Sequence, residues 1–156
     1  MQISSLIRFE DLQTWRIGLP AGARLVLTNG CFDLLHVGHV RYLQQARALG
    51  EILLVGVNSD ASVRGLKGES RPVNSENDRA EVLAALRCVD YVTIFDQATA
   101  DALIEAAHPA IYAKAGDYNL DNLPEAPTVQ RLGLQVVFLP FVSGYSTTGT
   151  LGKLQG

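Results

Sequence analysis

The sequence has few cysteines. Cys31 and Cys88 are the only two among 156 residues, and they lie far apart in the chain. They form neither a Cys-x-x-Cys pair nor the framework of a disulfide-rich domain. We therefore interpret both as reduced thiols.

A surplus of basic residues and a long hydrophobic run are also missing. The 13 Lys and Arg residues are outnumbered by 16 Asp and Glu residues, so no basic stripe is expected to neutralise a nucleic-acid backbone. No run of about 18 apolar residues is present to span a bilayer. Acidic Glu10 and Asp11 lie where a secretion signal would be basic and then apolar. We expect a cytoplasmic protein that binds neither nucleic acid nor membranes.

Hydrophobic residues make up 47% of the chain, which is enough for one ordinary core and predicts a single domain over residues 1–156. Short runs rich in Val, Ile and Leu alternate with helical patterns, as in parallel strands joined by crossover helices. The pattern predicts an α/β, Rossmann-like domain with a five-stranded parallel sheet and helices on both faces. The predicted strands are Arg24–Thr28, Ile52–Val57, Tyr91–Ile94, Ile111–Ala113 and Leu134–Leu139.

Several segments between the strands have helical or loop-like patterns. Helices are predicted over Val37–Leu49, from Ser75 to Arg87, and from Thr99 to Pro109. Ser4–Leu19 is predicted to be a further helix, in an N-terminal extension over residues 1–22 that packs outside the βαβ units. The polar segments Leu66–Asn77 and Gly116–Pro127 are rich in turn-forming residues and are candidate active-site loops.

The most informative stretch runs from Thr28 to His39, because it leaves the first predicted strand and enters a helix. Ligands of open α/β sheets bind at such turns, where free backbone N–H groups of the helix attract phosphate. Gly30 and Gly38 leave the backbone accessible, and His36 and His39 can converge on the same phosphate. An alternative is that the histidines only cap polar groups. A zinc pair is disfavoured because no third ligand lies at helical spacing, so no protein metal ligand is predicted.

This stretch resembles the His-x-Gly-His signature of the cytidylyltransferase-like nucleotidyltransferase superfamily. Ser146-Thr147-Thr148, preceded by Gly144, resembles a second signature, in which hydroxyl groups and a helix N-terminus hold the β- and γ-phosphates of a nucleotide. The resemblance implies the His-x-Gly-His nucleotidyltransferase fold, with a catalytic core over residues 24–148.

Within the superfamily, the middle of the chain is similar to adenylyltransferases that act on D-glycero-β-D-manno-heptose 1-phosphate. The matching segments are Gly56–Arg64, Leu66–Gly68, Arg71-Pro72, Asp78-Arg79, Val82–Leu86, and Lys114 with Gly116–Tyr118. This similarity implies transfer of AMP from ATP to a sugar 1-phosphate, with release of pyrophosphate and with Mg²⁺ bound mainly through the ATP phosphates. Relatives in this group often form dimers, so a homodimer is a candidate assembly.

The resemblance also assigns roles to individual residues. It implies that His36, His39 and Lys67 are catalytic, with Lys67 in a polar loop from which it reaches the phosphates; a solvated loop lysine is the alternative. Asp33, Arg71 and Arg79 are expected to bind the sugar phosphate. The expected nucleotide-binding residues are Thr28, Asn29, Gly30, Cys31, Phe32, Gly38, Lys114, Gly116, Asp117, Tyr118, Gly144, Ser146, Thr147 and Thr148.

The chain departs from the heptose group at three places. Ala115 replaces a glycine near the expected nucleoside pocket, Ser143 replaces a glutamate, and the glycine-containing tail over residues 149–156 predicts a frayed or altered C-terminal helix. The main rival is a cytidylyltransferase acting on glycerol 3-phosphate, although residues 140–143 lack the arginine that this branch carries. A non-catalytic nucleotide-binding module is a further alternative. Cys31 has no evident base and is not predicted to be a nucleophile.

Overall fold

The computed structural model describes residues 4–140 and 144–156. Helices and strands alternate along nearly the whole chain. The strands are β1 (Leu25–Gly30), β2 (Ile52–Asn58), β3 (Tyr91–Phe95), β4 (Ile111–Ala115) and β5 (Gln135–Leu139). The helices are α1 (Leu12–Ile17), α2 (Val37–Arg47), α3 (Asp60–Lys67), α4 (Glu76–Ala84), α5 (Asp101–Ala107), α6 (Ala126–Leu132) and α7 (Thr147–Gln155).

The strands form one parallel sheet in the order β3-β2-β1-β4-β5. Helices α2 and α4 pack on one face, and α1, α5 and α6 pack on the other. Burial on both faces explains why the strands are continuously apolar. The predicted Rossmann-like fold is therefore confirmed. After β1, the chain adds β2 and β3 on one side of β1, and it then crosses to the other side to add β4 and β5. This reversal of direction leaves a crevice beyond the carboxyl ends of β1 and β4.

The prediction of one helix over Ser4–Leu19 was wrong for its first half. A 3-10 turn at Phe9–Asp11 precedes α1, and the residues before it are extended along β3. The N–H of Ile7 donates to the carbonyl of Val92 at 2.8 Å, and the N–H of Val92 donates to the carbonyl of Ser5 at 2.9 Å. Strand β3 lies at the sheet edge with unpaired backbone groups, so pairing with it competes successfully with local helix formation.

Three further segments differ from their predicted structure. The prediction that Lys67 lies in a loop was wrong, because Lys67 is the last residue of α3. Helix α6 begins inside the predicted loop Gly116–Pro127, since proline is tolerated in a first helical turn. The C-terminal tail forms α7 despite its glycines, and Ser146 caps it by accepting a hydrogen bond from Gly149 N–H at 2.9 Å.

In the part of the chain that the structure describes, no helix is both long and apolar enough to cross a membrane.

Candidate active site

A cleft of about 720 Å³ lies at the carboxyl ends of the central strands, where the strand order reverses. It collects residues from the β1–α2 turn, the end of α3, the end of β4 and the start of α7. Of the residues predicted from the sequence, those lining it are Asn29, Gly30, Cys31, Phe32, Asp33, His36, Gly38, His39, Lys67, Arg71, Lys114, Tyr118, Ser146, Thr147 and Thr148. The fold thus brings together segments that are more than a hundred residues apart.

His36 and His39 form a stacked pair at the start of α2. Their ring centroids are 3.9 Å apart, and the backbone N–H of His36 donates to Nδ1 of His39 at 3.3 Å. Because Nδ1 of His39 accepts a hydrogen bond, the neutral ring carries its proton on Nε2. His39 therefore caps the helix and also retains Nε2–H as a hydrogen-bond donor.

Both rings are held neutral in the absence of ligand. Burial lowers the pKa of His39 to about 4, and repulsion by His36 adds to this effect. Burial also lowers the pKa of His36, whose Nδ1 is buried without a hydrogen-bond partner among the described residues. A bound phosphate would supply the opposite charge and new hydrogen-bond acceptors at this pair.

The lowered pKa of His39 predicts acid sensitivity of the fold. In the unfolded chain a histidine has a pKa of about 6.5, so between about pH 6.5 and 4 the unfolded state binds the proton that folded His39 excludes. The free energy of unfolding should fall as the pH falls through this window and lose this dependence below it.

Thermal unfolding of wild type and His39→Asn, measured from pH 7.5 to 3.5, checks this expectation. The asparagine can still accept from His36 N–H but cannot titrate, so its melting temperature should decline less steeply. Parallel curves for the two proteins would contradict the assigned pKa.

Gly38 allows the histidine pair to pack. A Cβ atom at this position would lie 2.9 Å from the ring of His36 and 2.9 Å from Cβ of Tyr145. Tyr145 stacks on His36 with centroids 6.1 Å apart, and it also lines the cleft. Tyr145 was not predicted as a site residue, although it adjoins the Ser146 signature.

Asp33 anchors Arg71 at the wall of the cleft. Its carboxylate accepts from Arg71 Nε at 2.8 Å and from the backbone N–H groups of Val73 and Asn74. Burial alone would raise the pKa of Asp33, but these hydrogen bonds outweigh it and hold the pKa below its ordinary value. Asp33 therefore stays ionised and fixes the Arg71 side chain, which is 12% exposed.

Arg79 is placed differently from its predicted role in binding a sugar phosphate. It is only 2% exposed and is not among the described residues that line the cleft. Its guanidinium donates to the carbonyl oxygens of Cys31, Asn58 and Asn74 and to the carboxylate of Asp60. Arg79 holds the floor of the cleft together.

Two lysines place positive charge in the cleft. Lys67 reaches it from the end of α3, and Lys114 reaches it from β4. Burial lowers the pKa of Lys114, while attraction to Glu125 opposes this change. The ammonium of Lys114 lies 4.9 Å from the ring centroid of Tyr118, a cation–π distance.

Four predicted nucleotide-binding residues lie outside the lining of the cleft. Thr28 is fully buried beneath it, and its hydroxyl is 2.6 Å from that of Tyr42. Gly116 and Gly144 have positive φ angles of 91° and 85°, as expected of turn glycines. Asp117 is exposed just after β4. Ser143, singled out in the sequence, lies outside the described residues.

Sequence reasoning missed several residues that the structure brings into the cleft. They are Tyr42, Asn58, Leu66, Ala98, Thr99, Pro124, Glu125, Pro140 and Tyr145. Asn58 ends β2 and could have been found by the rule that ligands bind at carboxyl ends of strands. Glu125 lies in the candidate active-site loop Gly116–Pro127, but no motif or spacing distinguished it from the other polar residues of that segment.

Cys31 also lines the cleft, and its environment argues against a nucleophilic role. Burial raises the pKa of its thiol, and nearby Lys67 and Arg79 only partly offset this effect. The thiol therefore remains protonated near neutral pH. This agrees with the expectation that Cys31 is not a nucleophile.

Comparison with known proteins gives one family. The family model described as cytidylyltransferase-like matches residues 27–148. "Bifunctional protein HldE" of Geobacter sulfurreducens is 53% identical over 133 residues, which cover 85% of this chain and 27% of that protein. The protein of the same name from Wolinella succinogenes is 50% identical over 142 residues, covering 91% and 28% respectively. The chain thus spans little more than a quarter of the length of these relatives.

Solved structures agree on the fold. The lipopolysaccharide core biosynthesis protein from Thermoplasma volcanium GSS1 matches 80% of this chain and 100% of its own, with a TM-score of 0.66 and 28% identity. Pantoate-beta-alanine ligase from Francisella tularensis matches 86% of this chain and 66% of its own, with a TM-score of 0.60. At 12% identity, the second likeness shows the shared architecture alone.

Proposed function

Because the chain belongs to the cytidylyltransferase-like family and is a nucleotidyltransferase, we propose that it transfers AMP from ATP to a sugar 1-phosphate. The acceptor that we propose is D-glycero-β-D-manno-heptose 1-phosphate. The observation that carries the proposal is the stacked His36–His39 pair at the start of α2, in a cleft that also contains Lys67, Lys114 and the Ser146 cap. The segments resembling heptose adenylyltransferases support the choice of acceptor.

In the proposed reaction, an oxygen of the sugar phosphate attacks the α-phosphorus of ATP in line and pyrophosphate leaves. The attacking phosphate is already ionised at neutral pH, so the reaction does not need a strong general base. The protein would instead position the reactants and stabilise the charge of the transition state. Nε2–H of His39 and the ammonium groups of Lys67 and Lys114 are suited to this task.

Other parts of the cleft would hold the leaving group and the acceptor. The N–H groups at the start of α7 and the hydroxyl of Thr148 can donate to the β- and γ-phosphates, whereas the hydroxyl of Thr147 donates to the carbonyl of Leu34 at 3.3 Å. Arg71, held by Asp33, also lines the cleft and can offer its remaining N–H donors to a phosphate. We assign it to the phosphate of the acceptor.

A Mg²⁺ ion bound to the triphosphate fits this arrangement. A Mg²⁺ site formed entirely by protein ligands does not fit it. Among residues 4–140 and 144–156, no group of three or more His, Cys, Asp and Glu side chains could hold a metal ion. Mg²⁺ commonly keeps water and phosphate oxygens as ligands. The ion would therefore arrive with ATP and neutralise part of its charge.

The proposal predicts the substrate preference. ATP with D-glycero-β-D-manno-heptose 1-phosphate should exceed CTP with glycerol 3-phosphate by at least about 10²-fold in kcat/KM, or about 2.7 kcal/mol. A pocket built for a purine leaves polar groups unpaired with a pyrimidine. The measurement is pyrophosphate release over a matrix of nucleoside triphosphates against sugar and alcohol phosphates.

Ala115→Gly is the matched variant for this experiment, since Ala115 lines the cleft and carries the methyl group that glycine would lack. The preference for ATP should persist in the variant. A clear preference of the wild type for CTP would instead favour the glycerol-3-phosphate cytidylyltransferase. ATP binding without turnover of any acceptor would favour the non-catalytic module.

A further inference from the structure

A buried carboxylate lies in the wall of the cleft without full hydrogen bonding. Glu125, just before α6, is 3% exposed and lines the cleft. Its Oε1 accepts from Ala100 N–H at 2.9 Å, which fastens it to the start of α5. Its Oε2 is buried, and within the described ranges it has no hydrogen-bond partner. An unpaired buried carboxylate oxygen is costly to the folded state, so a ligand that donates to it would recover this energy.

Lys114 limits which kind of ligand group fits beside this oxygen. Its side chain lines the same cleft, and the charge of Glu125 acts on it, yet its ammonium does not hydrogen-bond to Oε2. A ligand group that reaches both side chains must donate to a carboxylate and accept from an ammonium. A hydroxyl does both through a single oxygen atom.

We propose that Oε2 of Glu125 accepts a hydrogen bond from a sugar hydroxyl of a bound substrate. The inference rests on the proposed function, in which both reactants carry sugars: the ribose of ATP and the acceptor sugar. Glu125 is then a binding residue of the cleft, and its bond to Ala100 N–H fixes the direction in which Oε2 points.

Glu125→Gln separates this role from the structural one. The glutamine oxygen can still accept from Ala100 N–H, whereas its NH₂ group replaces the acceptor Oε2 with a donor. Thr128→Val, in the helix that follows Glu125, is the control variant. Thr128 donates to Asp101 at 2.6 Å and is not among the described residues that line the cleft, so its loss should lower stability without altering sugar recognition.

Calorimetric titration with ATP, 2′-deoxyATP and 3′-deoxyATP tests the ribose arm. If the hydroxyl belongs to ribose, the wild type should bind one deoxynucleotide about tenfold more weakly than ATP, or about 1.4 kcal/mol. Glu125→Gln should reduce this penalty to less than about twofold, and Thr128→Val should retain it. Because the titration needs no acceptor, it remains informative even if the proposed reaction fails.

Steady-state kinetics test the acceptor arm. If the hydroxyl belongs to the acceptor, the relative affinities of Glu125→Gln for ATP, 2′-deoxyATP and 3′-deoxyATP should equal those of the wild type. The KM of this variant for D-glycero-β-D-manno-heptose 1-phosphate should rise about tenfold. The proposal is overturned if neither the deoxynucleotide penalty nor this KM changes by more than about twofold. Inosine triphosphate has the same ribose as ATP but a different base. The proposal is also overturned if Glu125→Gln alters the discrimination between ATP and inosine triphosphate, or if Thr128→Val shows the same changes as Glu125→Gln.

Discussion

Replacing His39 with alanine is expected to lower kcat by about 10²–10³-fold while the protein remains folded. His39 lines the cleft in which we propose that phosphate charge develops, and one oriented donor to such a charge contributes about 3–4 kcal/mol. His36, stacked on it at 3.9 Å, should show a similar loss on replacement by alanine. The measurement is steady-state pyrophosphate release at saturating ATP and sugar 1-phosphate.

His39→Asn distinguishes catalysis from capping. Its side-chain oxygen can accept from His36 N–H as Nδ1 does, but it offers no group at the position of Nε2. We expect His39→Asn to lose as much activity as His39→Ala. Its melting temperature should lie closer to that of the wild type than the melting temperature of His39→Ala does. Retention of more than about a third of wild-type kcat in either variant would contradict a catalytic role for this histidine.

Replacing Arg79 should have the largest effect on stability. Arg79→Met leaves three carbonyl oxygens and the Asp60 carboxylate without their donor, and breaking a buried pair in this way costs about 3–5 kcal/mol. Arg79→Lys keeps the charge, but one ammonium cannot replace a guanidinium fork that reaches four acceptors, so a loss of about 1–3 kcal/mol is expected. Urea-induced unfolding gives both values.

Arg64→Lys is the control, because Arg64 is exposed on α3 and its replacement should stay within about 0.5 kcal/mol of wild type. The kinetics of Arg79→Lys distinguish two roles of Arg79: holding the floor of the cleft in place, and contacting the substrate directly. If this variant were as stable as wild type but bound the sugar 1-phosphate much more weakly, Arg79 would contact substrate after all.

The sequence predicts best where the signals are local. The strands are continuous apolar runs, and the His36–His39 spacing at a strand-to-helix turn needs only the local chain to indicate a phosphate site. These predictions required no knowledge of which segments meet in space.

Predictions failed where distant contacts decide the structure. The resemblance placed Arg79 at the sugar phosphate, which stays a prediction, but nothing in the sequence indicated its buried hydrogen bonds. These bonds reach three stretches of the chain, at Cys31, at Asn58 and Asp60, and at Asn74. Ser4–Leu19 has helical spacing, yet its start pairs with β3. Glu125 becomes notable only because α6 and α5 pack together and bury its carboxylate.

The hydrogen bonds of Arg79 also govern how the cleft can fluctuate. One side chain joins the turn after β1, the end of β2, the start of α3 and the segment before α4. Local opening of any one of these segments breaks a hydrogen bond to the side chain that also orders the other three. We therefore expect the floor of the cleft to open cooperatively, so that local backbone fluctuations there are rarer than in a floor held by separate contacts.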